Sequence, residues 1–447
     1  MTDFKDSGLK IAVIGGGSTY TPELAAGFLD RSGELPLKEI WLVDIPEGAE
    51  KLQIVGGLVR RMFERAGIKP RIELTLDREA ALAGADFVIT QFRVGGLAAR
   101  IRDERLPLRY GVIGSETVGP GGFAKALRTI PVILDIARDM TRLCPEAWLI
   151  NFTNPAGMVT EAVLNHTAVR CIGLCNVPIN MVKMVAKMLD VPEDKIRIEF
   201  AGLNHLVWGR RIFCGDREVT GKVLERLADG AALTMRNIPD LKWERDTLVR
   251  LGAVPCPYHR YYYMTGRILA EQMADAAPGG KGTRAEQVRE TESRLLTLYQ
   301  NEKLAERPAE LAARGGAHYS EAAVSLLSAI YNDKQEVHTV DVLNRGTLPE
   351  LPPDAVVEVN CVVGRSGAAP LPLPAGALPP DAAALAAKVK RYEQLAIKAA
   401  VAGDREAGRK ALAEHPLVPS SEVAEALFKD ILAVNRPYLP QFFPRLV

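Results

Sequence analysis

Short apolar runs recur along the first 175 residues, each followed by a stretch with helical spacing. Leu9-Lys10-Ile11-Ala12-Val13-Ile14 reads as a strand that stops at Gly15-Gly16-Gly17. A helix opens next, with Thr21 as its N-cap and Pro22 at the first helical position, where no N–H is needed. Leu24 and Phe28, four apart, share its buried face. Ile40-Trp41-Leu42-Val43-Asp44 is a second strand ending in an acid, followed by a helix over 50–66 and strands over 72–76 and 86–90. Two later runs, Ala147-Trp148-Leu149-Ile150 and residues 169–174, continue the series. Residues 123–140 are helical in pattern, and Pro131 is expected to begin or kink a helix there.

This alternation predicts βαβ units and a parallel sheet. Beyond residue 200 the pattern changes. Leu206-Val207-Trp208 and Val356-Val357-Glu358-Val359 read as strands of a mixed second domain, with helices between them such as 321–331. The proline-rich run 367–380 reads as an extended connector, and helices follow over 381–403, from Asp404, and over 421–434. The predicted fold is α/β: an N-terminal Rossmann-like parallel sheet over 1–175 and a second mixed α+β domain over 176–447.

Composition narrows the function classes. Of 447 residues, 47% are hydrophobic and 25% charged, as in ordinary globular proteins. Lys and Arg total 56 against 55 Asp and Glu, a balance that argues against a general nucleic-acid binder or a polybasic membrane binder. Six scattered cysteines with no CxxC spacing argue against a disulfide scaffold or a zinc ribbon. The polar N-terminus and the lack of a long apolar stretch lead us to expect a soluble, reducing, cytoplasmic setting.

Five segments carry candidate chemistry. Gly15-Gly16-Gly17-Ser18-Thr19 lies between strand and helix, with Asp44 ending the next strand. Backbone N–H groups and the helix N-terminus can receive a pyrophosphate there, and Asp44 can accept from ribose hydroxyls, favouring NAD over NADP. Tyr20 stands where a GxGxxG pattern has its third glycine. Asn154, before Pro155 at a strand end, offers an amide to a sugar or nicotinamide, though an Asn-Pro turn alone accounts for it. Cys175, in Cys175-Asn176-Val177-Pro178, and His205, in Gly202-Leu203-Asn204-His205, are competent ligands for a divalent metal. Either could equally be a buried structural residue. Tyr258, Tyr261, Tyr262 and Tyr263 fall within six residues and could form a packed aromatic face or include a base. Arg284 and Arg93 could grip a phosphate or another anion.

Taken in order, these segments together with Gly119-Pro120-Gly121-Gly122 resemble glycoside hydrolase family 4 over most of the chain. Cys-Asn-Val-Pro is most similar to the 6-phospho-β-glucosidase branch. The α-glucoside branch has an aspartate where Asn176 stands, at its proton-donor position. The resemblance implies that Cys175 and His205 hold a divalent ion, usually manganese, and that Tyr258 is the catalytic base. It also implies that Arg93, Asn154, Asn176 and Arg284 meet the substrate, Arg284 at the sugar phosphate. The implied reaction departs from paired-carboxylate displacement. NAD oxidises carbon 3 of the sugar, Tyr258 removes the proton on carbon 2, and the aglycone is eliminated. Water then adds and the hydride returns. The implied substrate is a phosphorylated disaccharide or β-glucoside, and the implied assembly a homodimer or homotetramer.

Three alternatives stand beside this reading. A 2-hydroxy-acid dehydrogenase shares the nucleotide domain but needs neither Cys175 nor a metal. A nucleotide-sensing protein without turnover needs none of Cys175, His205 and Tyr258. An α-galactosidase or glucuronidase of the same family takes a sugar without the phosphate.

Overall fold

The computed structural model describes residues 8–235, 238–314 and 318–443. Its first six strands follow the predicted alternation: β1 (Leu9–Ile14), β2 (Leu37–Val43), β3 (Arg71–Thr75), β4 (Phe87–Thr90), β5 (Trp148–Asn151) and β6 (Arg170–Gly173). They pair in parallel, in the spatial order β3-β2-β1-β4-β5-β6. The strand order reverses between β1 and β4, and an open α/β sheet leaves a crevice for ligands at the carboxyl ends there. β4 and β5 are buried at every position, as strands covered on both faces must be.

A second, antiparallel sheet contains β7 (Ile196–Leu203), β8 (Leu206–Cys214), β9 (Arg217–Glu218) and β10 (Val254–Pro255), in the order β10-β8-β7 with β9 paired to β8. Asn204 and His205 form the two-residue turn between β7 and β8, since Leu203 pairs with Leu206. The Val356 run, expected in a separate mixed unit, belongs instead to the main sheet. There β11 (Glu336–Leu343), β12 (Val356–Gly364) and β13 (Gly367–Pro370) add in antiparallel fashion beyond β6, giving nine strands in all. β12 is apolar at nearly every position, so it finds cover in the sheet interior; β13 takes up the start of the proline-rich run.

Two helix details differ from expectation. Tyr20, not Thr21, occupies the cap of the helix Thr21–Asp30, and Thr21 Oγ1 donates to the Gly16 carbonyl at 2.8 Å. Pro131 lies inside one continuous helix, Gly119–Leu143. The buried Ile130 and Ile133 on either side anchor that helix against the lost hydrogen bond. Among the described residues no helix is long and apolar enough to cross a membrane.

Candidate active site

A cavity of about 1230 Å³ opens at the carboxyl ends of β1, β2, β4 and β5. Gly15, Gly17, Ser18 and Asp44 line one end of it. Gly15 has φ +88°, a conformation glycine adopts without strain, and its N–H reaches the Val43 carbonyl at 2.9 Å. The Gly17 N–H donates to Asp44 Oδ2 at 2.9 Å, and the Ile45 N–H to Oδ1 at 2.9 Å. A Cβ on Gly17 would stand 2.6 Å from Asp44 Oδ2, so the turn and the acid are built against each other. The turn presents fewer contacts than its sequence suggests. Gly16 packs on Leu42, where a Cβ would come within 2.7 Å, and Thr19 is fully buried with its carbonyl accepting from the Tyr299 hydroxyl at 2.7 Å. Neither is part of the cavity wall.

Asn154, Asn176, His205, Tyr258 and Tyr319 line the other end. Asn154 follows β5, and Asn176 caps the helix Val177–Leu189 after β6. His205 sits in the hairpin turn with φ +61°, a left-handed conformation costly for a residue with a Cβ. Its ring stacks on that of Tyr258, centroids 4.0 Å apart and 11° from parallel. Tyr258 lies in the short 3-10 turn Pro257–His259. Two contacts bind that turn to the hairpin: the Cys256 N–H donates to the Val207 carbonyl at 3.3 Å, and its thiol reaches the His205 carbonyl at 3.6 Å. Of the clustered tyrosines, Tyr258 and Tyr261 face the cavity, while Tyr263 packs on Trp243 and Tyr262 on His415.

Cys175 lies one layer beneath the wall. It is 2% exposed, and the Tyr319 hydroxyl, which does line the cavity, stands 4.0 Å from its sulfur. Burial, reinforced by Glu358, pushes the Cys175 thiol well up. Burial, reinforced by Lys125, pulls His205 down to about 3, so its imidazole is neutral at the cavity surface. A neutral imidazole and a thiol are a donor set that fits a divalent ion, whose own charge would displace the thiol proton. Among the described residues no group of three or more His, Cys, Asp and Glu is poised to hold a metal.

The middle of the cavity is rich in cations. Glu116 forms ion pairs with Arg93 at 3.0 Å, Arg100 at 2.9 Å and Lys125 at 2.8 Å. Burial opposes its charge, but Arg100, Arg93 and Lys125 outweigh burial and hold the carboxyl well below the usual range. Arg284 begins the helix Arg284–Tyr299 and donates to the carbonyls of Ala313 and Arg314 at 3.1 and 3.2 Å. Arg314 also lines the cavity, with a contact to Ser18 Oγ at 3.4 Å. Burial and then the neighbouring Arg93 lower its pKa, against the opposing pull of Glu292.

The candidates from the sequence thus lie in or directly under this one cavity, apart from Gly16, Thr19, Tyr262 and Tyr263. Sequence reasoning missed Arg100, Glu116, Lys125, Arg314 and Tyr319. Lys125 had a legible signal, a cation inside the apolar helical stretch Phe123-Ala124-Lys125-Ala126-Leu127. Glu116 and Tyr319 had none, being ordinary residues of a loop and a helix start.

The pattern described as Family 4 glycosyl hydrolase matches residues 10–191, and that of the Family 4 glycosyl hydrolase C-terminal domain matches residues 200–418. A probable 6-phospho-beta-glucosidase of Bacillus subtilis is 51% identical over 98% of this chain and 99% of its own length. A 6-phospho-beta-glucosidase of Escherichia coli is 43% identical over 97% of each chain. The structure of the 6-phospho-beta glucosidase of Thermotoga maritima with manganese, NAD+ and glucose-6-phosphate superposes with a TM-score of 0.87 at 36% identity, covering 96% of this chain and 99% of that one.

Proposed function

The chain belongs to family 4 of the glycosyl hydrolases, and from that premise we propose that it hydrolyses 6-phospho-β-glucosides using NAD and a divalent ion such as Mn2+. One observation carries the reading. A single cavity has the glycine turn and Asp44 at one end and the stacked His205–Tyr258 pair at the other, so a dinucleotide on the turn extends toward a sugar held at the phenol.

When bound, NAD takes and returns a hydride and the ion polarises the adjoining sugar oxygens, so the net chemistry is hydrolysis. The residues of the chain do the rest. Asp44 accepts from the ribose hydroxyls, and the N–H groups of the turn with the N-terminus of Thr21–Asp30 face the pyrophosphate. Cys175 and His205 hold the ion. The face of His205 fixes the direction of the Tyr258 hydroxyl, which removes the proton from carbon 2. The buried Arg100 guanidinium lies within electrostatic reach of the Tyr258 phenol. Asn154 and Asn176 offer amides to sugar hydroxyls. A neutral amide cannot act as an acid, so the proton for the leaving group comes from water or another group. Arg284 and Arg314, with Arg93 partly neutralised by Glu116, receive the 6-phosphate. A cytoplasmic setting and a homodimer or homotetramer complete the reading, the assembly being measurable by light scattering.

The test is an assay with NAD and Mn2+ under reducing conditions, using nitrophenyl β-glucoside with and without a 6-phosphate. Release from the phosphorylated compound alone is expected. Equal release from both removes the phosphate from the reading. Stoichiometric accumulation of NADH in place of catalytic use returns the dehydrogenase alternative.

A further inference from the structure

We propose that Gln272 is a positioning residue: it clamps the loop 109–118 so that Glu116 holds Arg93 where the sugar phosphate binds. The proposal rests on the reading of Arg93 as a contact of the phosphorylated substrate. Gln272 lies on the helix Thr265–Ala276 and lines the cavity. Its Oε1 accepts the Gly114 N–H at 2.9 Å, and its Nε2 donates to the Gly114 carbonyl at 2.9 Å. A primary amide carries an acceptor and donors together, so this one side chain serves both polar backbone groups of Gly114. The clamp acts where the loop has no slack. Gly114 is buried, and a Cβ there would stand 1.9 Å from the Glu104 carbonyl, so the loop runs in contact with the helix Gly96–Leu108. A Cβ on Gly121 would stand 2.1 Å from the Ser115 carbonyl, so the start of the helix Gly119–Leu143 closes on the loop as well. Gln272 supplies the third side.

Glu116 follows Gly114 by two residues in this loop. The cations it pairs with come from separate elements: Arg93 from the stretch after β4, Arg100 from the helix Gly96–Leu108, and Lys125 from the helix Gly119–Leu143. The position of the loop therefore decides where Glu116 draws Arg93. The helix of Gln272 also leads to Arg284, the other side of the phosphate reading. Arg105 fastens that junction to the helix Gly96–Leu108. Its Nη1 donates to the Ala276 carbonyl at 3.3 Å, and its Nε and Nη2 pair with the two Glu286 oxygens, each at 2.9 Å. Arg93 and Arg284, far apart in the sequence, are thus braced by one helix, with Gln272 tying their two sides together. Without the amide, the buried Gly114 N–H and carbonyl lose these partners, a desolvation cost that a shift of the loop toward water relieves. Glu116 moves with the loop.

Gln272→Met keeps the length of this half-buried side chain and removes both hydrogen bonds. The test measures KM and kcat for nitrophenyl β-glucoside 6-phosphate in wild type, Gln272→Met, Glu116→Gln and the double variant. NAD affinity, set at the other end of the cavity, reports an intact fold. Gln272→Met is expected to raise KM by about 10-fold, with kcat and NAD affinity unchanged. In the Glu116→Gln background the same substitution is expected to add little, because residues that act through one another are not additive. If Glu116→Gln does not fold, Arg93→Met takes its place in the cycle with the same expectation. An unchanged KM in Gln272→Met overturns the proposal. So does a rise in KM matched by losses in kcat and NAD affinity, the mark of general loosening. The full effect persisting in the second background means that Gln272 touches the substrate itself, and overturns the positioning role. A wild type that hydrolyses the glucoside equally well without its phosphate overturns the phosphate reading, and this proposal with it. A wild type that requires the phosphate while Gln272→Met matches it overturns the proposal alone.

Discussion

The two ends of the cavity are built in opposite ways. At the glycine turn the cavity surface comes from residues 15, 17, 18 and 44, two segments close in sequence and joined through adjacent strands. At the chemical end the surface is side chains, delivered by the β5 and β6 ends, the β7–β8 turn, the 257–259 turn and the start of the helix Tyr319–Tyr331. The first end is set by the sterics of a few glycines. The second depends on the second sheet being docked correctly, because the pairing of β10 with β8 and the Cys256–Val207 and Cys256–His205 contacts bring Tyr258 onto His205. A change at the first end should therefore alter binding alone, while a change at the second should alter chemistry and leave dinucleotide binding intact.

The largest effect expected is in Tyr258→Phe. Loss of a general base lowers kcat by about 10²–10⁴-fold. NAD affinity measured by fluorescence should stay at the wild-type value; a parallel loss of NAD affinity would break the separation of the two ends. Next comes metal removal. Chelation should abolish turnover and Mn2+ restore it, and Cys175→Ser should weaken Mn2+ binding by more than about 100-fold, beyond what supporting residues contribute.

Asp44→Ala probes the other end. It removes a charged acceptor and the anchor of the Gly17 N–H, so NAD binding should weaken by about 10–100-fold, from about 1.5–3 kcal/mol for a hydrogen bond to a charged group. Mn2+ affinity should not move, and a coupled loss would join the two ends into one unit.

The effect that is smallest at neutral pH is in acid stability, and buried histidines behind the chemical end contribute to it. Burial pulls His259, beside Tyr258, and His415, packed on Tyr262, down to about 3. The folded state thus keeps neutral what the unfolded chain protonates below about pH 6.5. Stability is full above that pH and falls by about 1.4 kcal/mol per histidine for each pH unit down to about pH 3. Urea unfolding at pH 7 and pH 5 measures the slope, and His259→Gln should reduce it.

Much of the fold was legible in the residues. Six parallel strands, the glycine turn and the acid at 44 follow from local patterns: apolar runs of strand length, a turn only glycine accepts, and helical spacing between. The Val356 run was misplaced because an apolar run states that it is buried but not against which sheet. The chemical end was only half legible. Cys175, His205 and Tyr258 could be pointed to, but their spacing of tens of residues says nothing about distance. Glu116 could not be found at all, since a loop glutamate looks like any other until three cations close on it.

By itself, then, the sequence determined the local conformations, the glycine turn and a family resemblance that set expectations for part of the cavity wall. The tertiary structure decided which side chains face the cavity and which lie behind it, with Thr19 turned inward and Cys175 one layer down. It also decided the charges these groups carry. The reason is that hydrophobic period and turn chemistry act over a few residues, whereas burial, ion pairing and ring stacking depend on neighbours that only the packed chain brings together.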